Sequence, residues 1–454
     1  MIIIPFLFFV ILTIYWWKTH QGLDICTYMT SLYAVTTLFA IFIYFSGDAQ
    51  GTGGVDSGGM LWSGWEPILG FIPTVSFCLF IGLAILPFSY VDTKKISNIT
   101  ERAPFSLLFI SSLLIITALI NLYCVADSTL EILGGDFAAI RHSAYLGDQT
   151  PAEIKAATLP FPLGHLTYLN FCTTLALPIM FYNICFTDRA WWWNALLFFT
   201  ALTPILSGIQ RADRTEFIYF AQMFLYCIIF FRHNFSKKVK RLITGLVIVL
   251  VSLGVTYIAA VSMARFDDKT DGGAITNVIQ YAGQGYLNYC YFCENASFER
   301  IESEREFPIA NHLIAEIDSN DDRRGERSAR QGFFISVFAT FIGDILLDLT
   351  PIGMFLWILS YSLISIMIIR WRNRTEYDIS EVLILFVLAS IPVFGIFYYR
   401  YHGWFIAFNF IILLFLWFMS KYKIIFTANE NTDDNSNIQC DAMDTSLPDR
   451  PSEE

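Results

Sequence analysis

The chain has 454 residues, 55% hydrophobic and 17% aromatic, with only 15% charged and a formal net charge of −11. So apolar a composition, gathered in repeated runs of near-membrane length, excludes a soluble globular domain and indicates an integral membrane protein. The net charge is local in origin, because eight acids (Glu430, Asp433, Asp434, Asp441, Asp444, Asp449, Glu453 and Glu454) face only Arg450 after Phe426, and no basic patch suggests nucleic acid.

In chain order, eleven apolar runs qualify as spans: about 2–17, 27–45, 67–88, 105–125, 161–186, 191–207, 214–231, 241–263, 350–370, 380–399 and 404–420. The first lacks a basic leader and a small-residue cleavage site, so it reads as a span rather than a signal peptide. Four lysine/arginine clusters (Lys94, Lys95 and Arg102; Arg232 to Arg241; Arg370, Arg372 and Arg374; Lys421 and Lys423) fall on one side when the spans number eleven. The positive-inside rule then places the N-terminus outside and the C-terminus in the cytosol. The expected fold is an all-α polytopic integral membrane protein with about 11 transmembrane helices and one large extracytoplasmic loop. Residues 1–266 hold the first eight spans, 267–349 the large loop with a surface or re-entrant helix, 350–425 the last three spans, and 426–454 a disordered acidic tail.

The outward connections differ in kind. Ser46–Trp65 is glycine-rich without the Gly-Lys-Ser/Thr end of a phosphate-binding loop, so flexibility is its expected role. Ala126–Pro160 is acidic around Arg141 and His142, and Asp267–Gln331 is the largest soluble piece. Cys290 and Cys293 could form a disulfide there if the loop is extracytoplasmic, and no Cys/His set has metal-ligand spacing. Phe333–Leu349 is apolar but carries Asp344 and Asp348, too short for a span and its return, and is expected as a helix or re-entrant piece at the outer surface. The two aspartates share a helical face at i, i+4 and would repel each other if both were ionised.

The chemistry concentrates around Ser207–Phe220, SGIQRADRTEFIYF, where Arg211, Asp213, Arg214 and Glu216 sit between two apolar runs. Charge at this depth is costly and tends to be functional. With a helix beginning at Ala212, Arg211 and Arg214 would share one face near its N-terminus, which suits a phosphate or pyrophosphate. The alternative is that both arginines snorkel to headgroups and pair with Asp213 and Glu216. The outward side also gathers Arg265, Arg400, His402, His312, Asp344 and Asp348. The arginines could bind a diphosphate leaving group, and a carboxylate or histidine could accept a proton from a sugar hydroxyl. Tyr281, Tyr286, Tyr289 and Tyr291 could stack on sugars or pack on the membrane surface.

This order of features resembles the Wzy-type polymerases of O-antigen and capsular polysaccharide repeat units. SGIQRADRTEF is similar to their arginine opening a middle span after a small-residue turn, matched best at Arg214. Val278-Ile279-Gln280-Tyr281-Ala282-Gly283 is similar to the Tyr/Gly stretch beginning their large outer loop, and Thr340-Phe341-Ile342-Gly343 with Asp348 and Gly353 to their late threonine, aspartate and glycine. Leu349-Thr350-Pro351 departs from the family's aromatic and glycine, so Asp344 and Asp348 both remain matches. The resemblance implies a cofactor-free, metal-independent glycosyltransferase in the bacterial inner membrane. It would transfer a growing glycan from undecaprenyl pyrophosphate onto the next lipid-linked repeat unit, with a chain-length regulator as a candidate protein partner. Within that expectation Arg211, Arg214, Arg265 and Arg400 bind pyrophosphate, Tyr281 and Tyr286 bind substrate, and Asp344, Asp348 and His402 are catalytic. An O-antigen ligase, which relies on an outer-loop histidine such as His312, and a flippase or transporter are the competing functions. The chain shows no internal repeat of the transporter kind.

Overall fold

The computed structural model describes residues 1–46, 70–96, 98–100, 104–133, 149–266, 273–298, 337–370 and 376–400, with isolated positions at 140, 328, 331–333, 335, 414, 415 and 418. The helices are α1 (Ile3–Thr19), α2 (Ile25–Ser46), α3 (Phe71–Ile85, continued by a 3-10 turn to Tyr90), α4 (Pro104–Leu133), α5 (Pro151–Ala157) and α6 (Leu163–Leu166). A 3-10 stretch, Thr167–Leu175, leads into α7 (Ala176–Phe186), followed by α8 (Trp191–Ile209), α9 (Thr215–Phe231), α10 (Lys237–Phe266), α11 (Gly273–Asn295), α12 (Thr340–Arg370) and α13 (Ile379–Phe394). Two three-residue strands, β1 (Asn98–Thr100) and β2 (Glu376–Asp378), pair in parallel with Ile99 opposite Tyr377. Seven of the described helices are long and apolar enough to cross a membrane, and α1, α9 and α13 are shorter apolar helices. The architecture is that of an all-α membrane protein. The expected span at 404–420 and the acidic tail lie outside the described residues.

Interior prolines are tolerated because side chains replace the backbone donors they remove. Pro392 leaves the Leu388 carbonyl without its helical N–H, and the Tyr361 hydroxyl donates to that carbonyl at 2.9 Å. Pro204 does the same to Thr200, whose carbonyl accepts from the Thr203 hydroxyl at 2.8 Å. Starts are signalled as clearly. Thr150 with Glu153, and Asp378 with Glu381, form capping boxes that open α5 and α13.

The connections sort into two ends of the bundle. At one, Lys94 Nζ donates to the carbonyls of His20 at 2.6 Å and Gln21 at 3.2 Å, and Asn234 donates to the Ile96 carbonyl at 3.3 Å. β1 and β2 pair there too, so the lysine/arginine connections around 94 and 232 share an end. At the other end Gly70 N–H meets Glu294, and the amides of Thr340 and Phe341 donate to the carbonyls of Phe397 and Gly395, each at 2.9 Å.

The segment expected as a large loop opens with α11, a 23-residue helix packed against α2, α3, α10 and α12. Gly283 makes this possible: a Cβ there would stand 2.6 Å from the backbone carbon of Phe39 and 2.7 Å from the Ala40 nitrogen. Small residues at a crossing let two backbones approach closely, the usual device for packing helices in lipid. Cys290 and Cys293, which could have bridged in an extracytoplasmic loop, lie on this helix as free thiols.

Candidate functional site

The site begins at the turn between α8 and α9. The Gly208 carbonyl accepts from the amides of Arg211 at 3.1 Å and Asp213 at 2.8 Å, while Ala212 takes a positive φ of 47°. That left-handed residue interrupts the helix, and α9 restarts at Thr215 with the Asp213 carboxylate accepting both its amide (3.0 Å) and its hydroxyl (2.6 Å). Arg211 and Arg214 therefore do not share a helical face, contrary to what their spacing suggests. Arg211 turns outward to pair with Glu153 of α5. Arg214 turns inward, only 8% exposed, with its guanidinium 4.5 Å from the Tyr281 ring centre on α11. The Tyr257 hydroxyl of α10 donates to the Asp213 carbonyl at 3.2 Å and fixes the turn from the far side.

A second guanidinium enters from the segment after α13. Arg400 lies 3.7 Å over the Tyr219 ring and 5.2 Å from Phe394, and its Nη2 donates to Glu216 Oε2 at 2.9 Å. The side chains are 12% and 24% exposed, respectively. Burial opposes the Arg400 charge, but Glu216, with Tyr219 and Tyr398, holds its pKa above the ordinary arginine value. Its Nη1 has no hydrogen-bond partner among the described residues. Tyr281, Phe338 and Tyr398 form an aromatic chain between the two arginines, with ring centres 5.5 and 5.9 Å apart. Arg400, Asp213, Glu216 and Asp344 all lie within electrostatic reach of the Tyr398 hydroxyl.

The aspartates expected at the surface are instead enclosed. α12 is two helices joined at Thr350, whose φ of 64° breaks the helix before Pro351. Its first half also opens on a strained threonine, Thr340, at φ 63°. Such values cost a β-branched residue on the order of 1–3 kcal/mol and persist only where surroundings enforce them. Asp344 and Asp348, 1% and 0% exposed, sit inside this half-helix. Asp344 Oδ2 accepts the Tyr399 amide at 2.6 Å, so with the Thr340 and Phe341 amides it staples the 395–400 segment in place. Asn288 of α11 donates to the Phe338 carbonyl at 2.8 Å from the opposite side.

Of the expected site residues, the fold thus brings Arg214, Arg400, Asp344 and Tyr281 together and sets Arg211 apart. Tyr286 is not a surface platform: it is buried with its hydroxyl 2.9 Å from Thr74, and Tyr289 meets Ser76 at 2.8 Å. Hydroxyl pairs of this kind clasp α11 to α3. Arg265 closes the last turn of α10 with its side chain outside the described residues, and His142, His312 and His402 lie outside them altogether. Tyr219, Phe338 and Tyr398 join the site without having been singled out, while Glu216 joins it from the charged stretch around Arg214, paired with Arg400. Only Glu216 had a linear signal, its place beside Arg214 in RTE. Among the described residues no group of three His, Cys, Asp or Glu side chains could hold a metal ion. The arrangement offers one buried and one half-buried guanidinium group on aromatic faces, suited to a polyanion at one end of the bundle. No family model, curated protein or solved structure matches the chain.

Proposed function

We propose that the chain is an integral-membrane glycosyltransferase that polymerises undecaprenyl-pyrophosphate-linked repeat units into O-antigen or capsular polysaccharide. The carrying observation is the occurrence together of buried Arg214 and of Arg400, whose Nη1 has no hydrogen-bond partner among the described residues although Glu216 occupies Nη2. A guanidinium with a donor to spare can take a phosphate oxygen without first losing a partner. Both arginines bind the diphosphate of the donor lipid, and charge building on the leaving group strengthens their grip in the transition state. The diphosphate needs no metal to leave, and the aromatic chain from Tyr281 to Tyr398 offers faces for the first sugar. In this function the site end of the bundle faces outward and the lysine-rich end faces the cytosol of a bacterial inner membrane.

The test is glycan laddering in cells, normalised to the abundance of the protein in membranes. Arg214→Ala and Arg400→Ala are each expected to reduce elongation about 100–1000-fold, leaving single repeat units, with Arg214→Lys restoring part of it. A full ladder from well-expressed Arg214→Ala and Arg400→Ala would end this assignment.

A further inference from the structure

We propose that Glu216 is the proton acceptor of the transfer, released for that role when the donor diphosphate draws Arg400 away; the assignment rests on the glycan-transfer function above. Four described carboxylates surround the Arg214–Arg400 region, and three are engaged elsewhere or enclosed. Asp213 caps the Thr215 amide and hydroxyl. Asp344 holds the Tyr399 amide and is 1% exposed, while Asp348 is wholly buried. Glu216 differs on both counts. Its side chain is 24% exposed, and it meets Arg400 at 2.9 Å, a group that has a reason to leave. A diphosphate carries more negative charge than one carboxylate and can bridge Nη1 and Nη2 together, so it outcompetes Glu216 for the fork.

The exchange couples binding to the accessibility of the acceptor oxygen. While Arg400 is paired with Glu216, its Nη2 occupies Glu216 Oε2 at 2.9 Å. Once Arg400 turns to the diphosphate, Glu216 Oε2 is left open to accept a proton within the same few ångströms. The acceptor hydroxyl oxygen then forms its bond to the anomeric carbon as the bond from that carbon to the diphosphate oxygen breaks. The bonding pair leaves on the diphosphate, held by Arg400 and Arg214, and the hydroxyl proton passes to a Glu216 oxygen and on to water. An empty site thus keeps its base masked.

The experiment uses the full chain in lipid nanodiscs, with undecaprenyl-diphosphate-linked repeat units extracted from a host strain deleted for this chain. Initial rate and KM are measured for Glu216→Gln, Glu216→Asp and Glu216→Ala, the last with and without added formate. Binding of unglycosylated undecaprenyl pyrophosphate is measured in parallel. Glu216→Gln is expected to lower kcat at least about 100-fold. Its KM and its pyrophosphate binding should stay as they are or tighten, because Arg400 is then unmasked. Glu216→Asp should keep part of the rate, and formate should restore part of the rate to Glu216→Ala. Loss of pyrophosphate binding in Glu216→Gln without formate rescue of Glu216→Ala would make Glu216 only an anchor for Arg400 and overturn the proposal. Wild-type rates from Glu216→Gln would overturn it as directly. A wild-type chain that binds the lipid and forms no polymer would instead overturn the transferase function and this assignment with it.

Discussion

Two glycines offer a matched test of the α2–α11 packing that positions Tyr281. Gly245 of α10 and Gly283 of α11 are both helical, so replacing either with alanine gains about 0.5–1 kcal/mol of helix propensity. Their surroundings are opposite. A Cβ at position 245 meets nothing within 4 Å, so Gly245→Ala should keep that gain. A Cβ at position 283 would lie 2.6 Å from both the Ile43 Cδ1 and the Phe39 backbone carbon, and 2.7 Å from the Ala40 nitrogen. Carbon atoms pack favourably at about 3.5–4.0 Å, so the overlap is roughly 1 Å. The Ile43 tip can rotate aside, but the α2 backbone cannot. The helices must part, at about 1–3 kcal/mol for an overpacked site. After the propensity gain, Gly283→Ala should lose up to about 2.5 kcal/mol, leaving the two variants on opposite sides of wild type. Equilibrium unfolding in mixed detergent–SDS micelles, followed by tryptophan fluorescence, measures both. Tyr281 sits two residues from Gly283, so the same displacement should also raise the KM for donor in Gly283→Ala alone. Equal shifts of stability in the same direction from both variants would refute the close approach.

Two further expectations concern the polar links. His20 bonds to Asp24 across the α1–α2 connection; that bond raises the His20 pKa above 6.5 despite burial, with Asp92 helping and Lys94 opposing. Burial pushes the Asp24 carboxyl up, but bonds from His20 and Thr27 hold it below 3.8. The His20 contribution is full below pH 6.5 and is lost as pH rises through its raised value, whereas that of Asp24 is full above pH 3.8 and is lost as pH falls through its depressed value. His20→Gln should therefore flatten the alkaline decline in stability, a change on the order of 1.5–3 kcal/mol at most, read by unfolding across pH 5 to 9. At the site, Asp344→Asn keeps an oxygen for the Tyr399 amide and should retain most transfer activity. Asp344→Ala leaves that amide unbonded and should cost about 1–3 kcal/mol of stability. Loss of transfer in a stable Asp344→Asn protein would make Asp344 a proton-transfer group instead.

The apolar helices were legible because long apolar runs need no tertiary information to be recognised, and the charged turn at Arg214 stood out beside such runs. α11 was hidden by its own composition. Gln284, Asn288, Tyr286 and Tyr289 read as loop-like in sequence, yet each is buried and bonded to a neighbouring helix or within α11 itself. The Arg400–Glu216 pair joins residues 184 positions apart, and no local pattern encodes such a separation. The divergence of Arg211 from Arg214 turns on one backbone angle at Ala212, a residue with no marked preference for a left-handed turn.

The staple between the α12 half-helix and the 395–400 segment has a consequence for the order of events during synthesis. Asp344 leaves the ribosome 55 residues before Tyr399, the residue whose amide binds it. At about 5–20 residues per second that interval is roughly 3–11 s. An ionised aspartate at bilayer depth costs about 2.5–3.5 kcal/mol on insertion scales, and this segment carries two. During those seconds Asp344 lacks the Tyr399 amide that it accepts in the finished fold. The Asp344 contact is therefore completed only when the 395–400 segment is made, and a chain cut short before Tyr399 leaves Asp344 without that bond.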